Sequence, residues 1–142
     1  MADVKPLTGG CLCGAVRFEV HALASDVYHC HCSICRKLQG ALMPTYVVVP
    51  RDAFVVTHGA DNVTRYDSSE RIHRFFCSTC GARVYEHNTE QPGDIWYAAG
   101  SLDDGADPRT KDANFRHIFW ESRNGWYEPM DTLPKVIEFD DG

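Results

Sequence analysis

Seven cysteines are the residues of this sequence best suited to chemistry, and they fall into three short groups. The groups are Cys11 with Cys13, Cys30 with Cys32 and Cys35, and Cys77 with Cys80. Thiolates bind soft metals and act as nucleophiles. An odd number of cysteines, in a chain whose N-terminal segment does not resemble a secretory signal, fits a disulfide framework badly. The pattern therefore favours metal ligation or thiol chemistry.

The first and last groups share a glycine directly after their second cysteine, at Gly14 and Gly81. Glycine allows a positive φ, so each pair can lie on a tight turn that directs backbone N–H groups at sulfur. Two such turns supply the four ligands of a closed, structural zinc site. We expect the metal ligands of that site to be Cys11, Cys13, Cys77 and Cys80.

The middle group has three cysteines and is followed by Arg36 and Lys37 instead of glycine. Three protein ligands leave a fourth position for water or substrate, as in catalytic zinc sites. The two cations would stabilise thiolates and attract an anionic ligand. We expect Cys30, Cys32 and Cys35 to hold this second metal and to be the catalytic residues.

Spacing alone leaves a second pairing open, since Cys32 and Cys35 could join Cys77 and Cys80 in a ribbon-like zinc site. That pairing would leave three cysteines without a role. The four-plus-three division explains all seven.

The elements that must position these cysteines are mostly β-strands, because alternating and short apolar segments dominate. We expect strands at 16–20, 46–49, 54–57, 63–66, 72–76, 83–86, 95–99 and 118–120, with 63–66 and 72–76 forming a hairpin. One short helix is expected from Ser33 to Gln39, ended by Gly40. The aromatic residues Trp120, Trp126 and Tyr127 are expected to pack on the core.

Composition limits the class of protein. A length of 142 residues favours one domain over 1–142. A net charge of −6 opposes nucleic-acid binding. No apolar stretch could span a bilayer, and Met1 to Gly10 lacks the apolar core of a signal peptide, so we expect a cytoplasmic protein without a membrane partner.

These motifs resemble the glutathione-dependent formaldehyde-activating enzyme family, which includes the centromere protein V type domains. The matching segments are Gly9 to Phe18, Cys30 to Lys37, Phe76 to Gly81, Ala99 to Asp103, His117 to Phe119, Trp126 with Tyr127, and Leu133 with Pro134. The resemblance implies a mainly β fold of twisted antiparallel sheets of the Mss4-like type. It also implies the four-plus-three division of two Zn²⁺ ions per chain.

The family reaction implied is a carbon-sulfur lyase step that joins glutathione, or another small thiol, to an aldehyde such as formaldehyde. Arg36 or Lys37 is a candidate contact for a substrate carboxylate, and His29 for an anion or a proton. His31 should point away from the sulfurs, and His73 and His117 are interpreted as ordinary strand residues. Two other classes stay open: a zinc-scaffolded protein-binding module, and a redox switch at the three-cysteine group.

Overall fold

The computed structural model describes residues 5–139. Residues 1–4, which belong to the segment from Met1 to Gly10 discussed above, lie outside the described part. The described residues form ten strands, which are arranged in two sheets, and one α-helix. In chain order they are β1 (Leu7–Gly10), β2 (Arg17–Val20), β3 (Ala24–Cys30), α1 (Ser33–Gln39), β4 (Thr45–Pro50), β5 (Phe54–His58), β6 (Val63–Asp67), β7 (Ile72–Cys77), β8 (Arg83–Asn88), β9 (Asp94–Ala98) and β10 (Arg109–Ile118). The mainly β fold with one short helix is confirmed.

The small sheet has the order β1-β2-β5, and the large sheet the order β10-β3-β4-β9-β8-β7-β6. All neighbours are antiparallel except β3 and β10, which run parallel. The large sheet is therefore mixed, although all its other strand pairs are antiparallel, as expected. No helix within residues 5–139 is long and apolar enough to cross a membrane.

The two faces of the large sheet pack against different groups of residues, because successive side chains of a strand point to opposite faces. Val47 and Val49 of β4 pack with Phe18 and Val20 of the small sheet in the main core. Tyr46, on the other face of β4, belongs to a second cluster with Tyr28, Cys30, Cys35 and Ile118. The middle cysteine group thus lies on the face that the small sheet does not cover.

The helix begins and ends where the sequence predicts. Gly40 follows it with φ 62°, and its N–H donates to the Arg36 carbonyl. A left-handed residue of this kind ends a helix at low cost only if it is glycine. The hairpin of β6 and β7 is confirmed, with Val63 opposite Cys77 and Asp67 opposite His73.

The strands expected at 46–49 and 54–57 are confirmed, and the 3-10 turn at Arg51–Ala53 that joins β4 to β5 directs them into different sheets. One expectation about an element is wrong. The strand expected at 118–120 ends at Ile118, since Phe119 has φ 51° and a 3-10 turn follows. The sequence analysis also missed β1, β3 and all of β10 except Ile118.

Asp103, at the end of the segment Ala99 to Asp103, connects elements of the fold. Asp103 accepts hydrogen bonds from the Arg17 guanidinium and, at 2.7 Å, from the Thr8 hydroxyl. These bonds tie the segment after β9 to β1 and β2, next to the first cysteine turn.

Candidate metal centres

The sulfurs of Cys11, Cys13, Cys77 and Cys80 all lie within 4.8 Å of one another. The Cys13 sulfur is 3.6 Å from that of Cys11 and 3.7 Å from that of Cys77. Four thiolates around one zinc ion, each about 2.3 Å from it in a tetrahedron, stand about 3.8 Å apart. The sulfur spacing therefore fits a tetrahedral metal, and the ribbon-like pairing is not the one that the structure has.

Both turns of this four-cysteine cluster are built alike. Gly14 and Gly81 have φ 82° and 76°, and the N–H of each donates to the carbonyl of the first cysteine of its pair. The Val16 N–H donates to the Cys11 sulfur at 3.3 Å, and the Asn62 side chain donates to the Cys77 sulfur at 3.4 Å. Backbone N–H groups of Cys13 and Ala82 lower the pKa of Cys80 to about 6. These donors favour thiolates, the form that binds metal.

The second cluster contains Cys30 at the end of β3, Cys32 just before α1, and Cys35 inside α1. Their three sulfurs also lie within 4.8 Å of one another. Hydrogen bonds from Cys30 and Cys35, with backbone N–H groups of the first helical turn, lower the pKa of Cys32 to about 2. This three-cysteine cluster could bind a metal through three thiolates.

The two clusters differ in exposure in a way that the sequence did not indicate. Cys13 and Cys80 of the four-cysteine cluster are exposed, whereas Cys30 and Cys35 are buried and Cys32 is half-buried. The cluster with fewer ligands is thus the more sheltered from water. A ligand that completes it would approach past Cys32.

The Arg36 guanidinium makes three hydrogen bonds within the chain, and its contact with a substrate carboxylate stays a prediction. The guanidinium donates to the His31 carbonyl at 3.1 Å, to the Ser122 carbonyl at 3.1 Å and to Asn124 Oδ1 at 3.4 Å. These bonds fasten the start of α1 to the segment after β10. Lys37 is exposed on the helix surface.

His29 lies on the opposite side of β3 from Cys30, because the two are neighbours in one strand. Its Nδ1 is 2.7 Å from the Thr45 hydroxyl, and its ring packs on Phe115 and His117. Burial is the main cause that lowers the pKa of His29 to about 4, so it is neutral at pH 7. The role of His29 as a contact for an anion or a proton stays a prediction.

His117 is more than an ordinary strand residue. It is fully buried, its Nδ1 is 2.8 Å from His31 Nε2, and its Nε2 is 3.0 Å from both oxygens of Asp131. His31 points away from the sulfurs, as expected, and Trp120 packs edge-on against it. His73 instead pairs with Asp67 at 2.6 Å on the β6–β7 hairpin.

The expectation that Trp126 and Tyr127 belong to the core is wrong. Trp126 is 76% exposed and Tyr127 is 40% exposed. They contact each other edge to face, with ring centroids 6.3 Å apart. Trp120 is half-buried and contacts His31 and His117.

Sequence analysis also missed the buried residues beneath the three-cysteine cluster. Arg74 of β7 is 4% exposed, and its Nη1 lies 3.6 Å from the Cys35 sulfur and 2.9 Å from Glu86 Oε1. Tyr46 donates to the same Glu86 oxygen at 2.8 Å, and Gln39 donates to Tyr46 at 2.9 Å. Arg74 is directly opposite Glu86 in the β7–β8 pair. A cross-strand pairing of the predicted strands 72–76 and 83–86 was the signal that could have found them.

A cavity of about 620 Å³ lies between the first cysteine turn and the C-terminal end of α1. Leu12, Met43 and Pro44 provide apolar walls, and Arg83 supplies a positive charge. The Arg83 Nε also donates to the Leu38 carbonyl at 3.2 Å, which holds the side chain against the helix end. The cavity is large enough for a small peptide.

Residues 6–122 match the family model described as glutathione-dependent formaldehyde-activating enzyme. Relatives provisionally named as such enzymes include one from Fusarium vanettenii, 32% identical over 124 residues, and one from Halomonas elongata, 31% identical over 130 residues. The matches cover 84% and 86% of this chain, and 57% and 80% of the two relatives. The chain thus spans little more than half the length of the fungal relative.

A crystal structure of a Rhodobacter sphaeroides protein has a TM-score of 0.60 and 29% identity to this chain. It covers 72% of this chain, and the alignment covers 99% of the other protein. The family model spans most of the sequence, including all seven cysteines. This chain therefore belongs to the glutathione-dependent formaldehyde-activating enzyme family.

Proposed function

We propose that this protein is a zinc-dependent enzyme of the carbon-sulfur lyase type that joins the thiol of glutathione to formaldehyde. The observation that carries the proposal is the cluster of three cysteine sulfurs within 4.8 Å in a chain of this family. Three thiolates and no fourth cysteine leave one coordination position for a substrate. Cys30, Cys32 and Cys35 are the residues that hold the catalytic metal.

The four-cysteine cluster holds a second, structural zinc ion in this proposal. Its sulfur spacing of 3.6 to 3.7 Å fits the ion, and its four ligands complete the coordination. It fastens the turn before β2 to the turn before β8. Stability, and not chemistry, is its contribution.

The reaction balances without an oxidant or a reductant. The thiol loses its proton, its sulfur forms a bond to the formaldehyde carbon, and the π electrons of the carbonyl move to oxygen. That oxygen takes up a proton, which gives S-hydroxymethylglutathione. A zinc ion, when bound, lowers the pKa of a thiol so that the thiolate forms at neutral pH.

The protein shields the three-cysteine cluster from solvent and holds its cysteines in place. Burial of Cys30 and Cys35 limits approach to the side of Cys32, which restricts the access of water to the metal site. The backbone N–H groups at the start of α1 favour the thiolate form of Cys32. The network from Asp131 through His117 to His31 holds the turn between Cys30 and Cys32 from the other side.

The cavity beside α1 is our proposed place for the peptide part of the thiol. Arg83 lines it and carries the charge that a glutathione carboxylate requires. Replacing Arg83 with Gln should raise KM for glutathione at least about tenfold, because a charge-assisted hydrogen bond is lost. KM for 2-mercaptoethanol, which has no carboxylate, should stay the same.

The direct test is two-dimensional exchange NMR with ¹³C-formaldehyde and glutathione, which separates catalysed adduct formation from the spontaneous reaction. The wild-type protein should carry two zinc ions and accelerate exchange, and Cys35→Ser should lose the acceleration while keeping the fold. Ser33→Ala, an exposed change in the same turn, is the matched control. Two zinc ions without acceleration would instead indicate a binding module.

A further inference from the structure

We propose that Arg74 is the positioning residue of the three-cysteine cluster: its guanidinium donates a charge-assisted hydrogen bond to Cys35 and so sets how strongly that cluster holds a metal. The proposal rests on the proposed metal site at Cys30, Cys32 and Cys35.

Arg74 is buried to an extent that is rare for arginine, with 4% of the residue exposed. A buried cation is retained only where anions and acceptors satisfy it. Its Nε donates to the Ser68 hydroxyl at 2.8 Å, and its Nη1 donates both to Glu86 and to the Cys35 sulfur. The side chain is therefore held by the β6–β7 turn and by β8, and it is directed at one sulfur of α1.

Glu86 orients the guanidinium. Burial raises the pKa of Glu86, but Arg74 and the Tyr46 hydroxyl oppose that rise by stabilising its carboxylate. Tyr46 is itself held by Gln39, one helical turn beyond Cys35. The network thus begins and ends on α1, and it fixes the donor relative to the helix that carries the sulfur.

The charges explain why a donor is needed at this place. Three thiolates around a divalent cation have a net charge of −1, and here that charge lies among the buried residues Tyr28, Tyr46 and Ile118. An uncompensated charge in such surroundings is strongly unfavourable. Arg74 is a buried cation within hydrogen-bonding distance of this cluster. The four-cysteine cluster has its exposed members in contact with water and uses backbone and amide donors instead.

A purely structural ion pair makes a different prediction. If Arg74 served only to neutralise Glu86, removing both charges together would restore the metal site, because a buried ion pair can be replaced by neutral groups at little cost. If Arg74 acts on Cys35, the double change leaves the sulfur without its donor. The doubly substituted protein therefore separates the two roles.

The experiment is a Co²⁺ titration of the full chain with a chromophoric competitor, following the sulfur-to-cobalt charge-transfer band. Cys35→Ser identifies the titration step that belongs to the three-cysteine cluster. Arg74→Gln and the double variant Arg74→Gln with Glu86→Gln should each weaken that step by about 10- to 100-fold, the usual effect of losing a hydrogen bond to a metal ligand. The band should move to lower energy, because a sulfur without its N–H donor gives up charge more readily.

The matched control is Arg71 with Glu90, a pair at the same 2.9 Å distance but exposed to solvent. Arg71→Gln with Glu90→Gln should leave both titration steps unchanged. A double Arg74 and Glu86 variant with wild-type affinity and band position would overturn the inference alone. A wild-type protein that binds no metal at Cys30, Cys32 and Cys35 would overturn the proposed function.

Discussion

The sharpest prediction concerns how much each cysteine cluster stabilises the folded chain when it binds zinc. The four-cysteine cluster joins Cys13 to Cys77, 64 positions apart, whereas the three-cysteine cluster spans only the five positions from Cys30 to Cys35. The perturbation removes one cluster at a time. One variant is Cys77→Ala with Cys80→Ala, and the other is Cys30→Ala with Cys32→Ala, so each loses one buried and one more exposed sulfur.

The magnitude follows from chain entropy. The entropic cost of closing a loop grows as (3/2)RT times the logarithm of its length, so ordering 64 positions instead of five is worth about 2 kcal/mol. Metal binding to the unfolded chain also makes the stabilisation by the three-cysteine cluster smaller than that by the four-cysteine cluster. The short three-cysteine segment can bind zinc while unfolded, which reduces the stabilisation that zinc gives to the fold. The long-range cluster cannot do so without folding.

The assay is urea unfolding of each variant with zinc and with a chelator, so that every protein is its own metal-free reference. The variant that retains the four-cysteine cluster should gain at least about 2 kcal/mol more free energy of unfolding from zinc than the variant that retains only the three-cysteine cluster. Equal gains, or a larger gain from the three-cysteine cluster, would refute the assignment of the structural role.

Three further predictions concern single residues. Gly81→Ala should cost about 1–2 kcal/mol of stability in urea unfolding, since φ is 76° there, although a Cβ would meet nothing within 4 Å. Gly93→Ala, which needs no positive φ, should cost much less, and equal losses would contradict the turn geometry. The pKa of His29 is lower in the folded than in the unfolded state, so stability should fall as pH drops from about 6.5 towards 4. In urea titrations at successive pH values, His29→Asn should reduce this dependence of stability on pH. An unchanged dependence would mean that other groups cause it. Arg36→Ala should speed amide hydrogen exchange at the start of α1 without changing KM for glutathione. An increased KM would instead indicate that Arg36 contacts the substrate.

Elements with a clear local signal could be predicted from the sequence. The helix from Ser33 to Gln39 has its glycine stop, and β2 alternates between a buried and a half-buried face. β10 could not be predicted, because its first half is polar and lies at the sheet edge, so the alternation of a half-buried strand is missing. Buried side chains at adjacent positions, as at Val27 and Tyr28 of β3, likewise hide a strand whose two faces are both covered.

Residue type favoured placing Cys11 and Cys13 with Cys77 and Cys80, because each of the two pairs is closed by a glycine, although spacing alone left a second pairing open. Only the tertiary structure decided what surrounds the sulfurs of the other cluster. Arg74 and Glu86 reach Cys35 because β7, β8 and α1 meet on one face of the large sheet, and the sequence separations involved carry no periodic signal. Arg36 was the better candidate by proximity along the chain, but its guanidinium is engaged by the segment after β10. Short-range spacing determines which thiols lie on one turn, whereas long-range packing determines which turns share a metal and which charge compensates the thiolates.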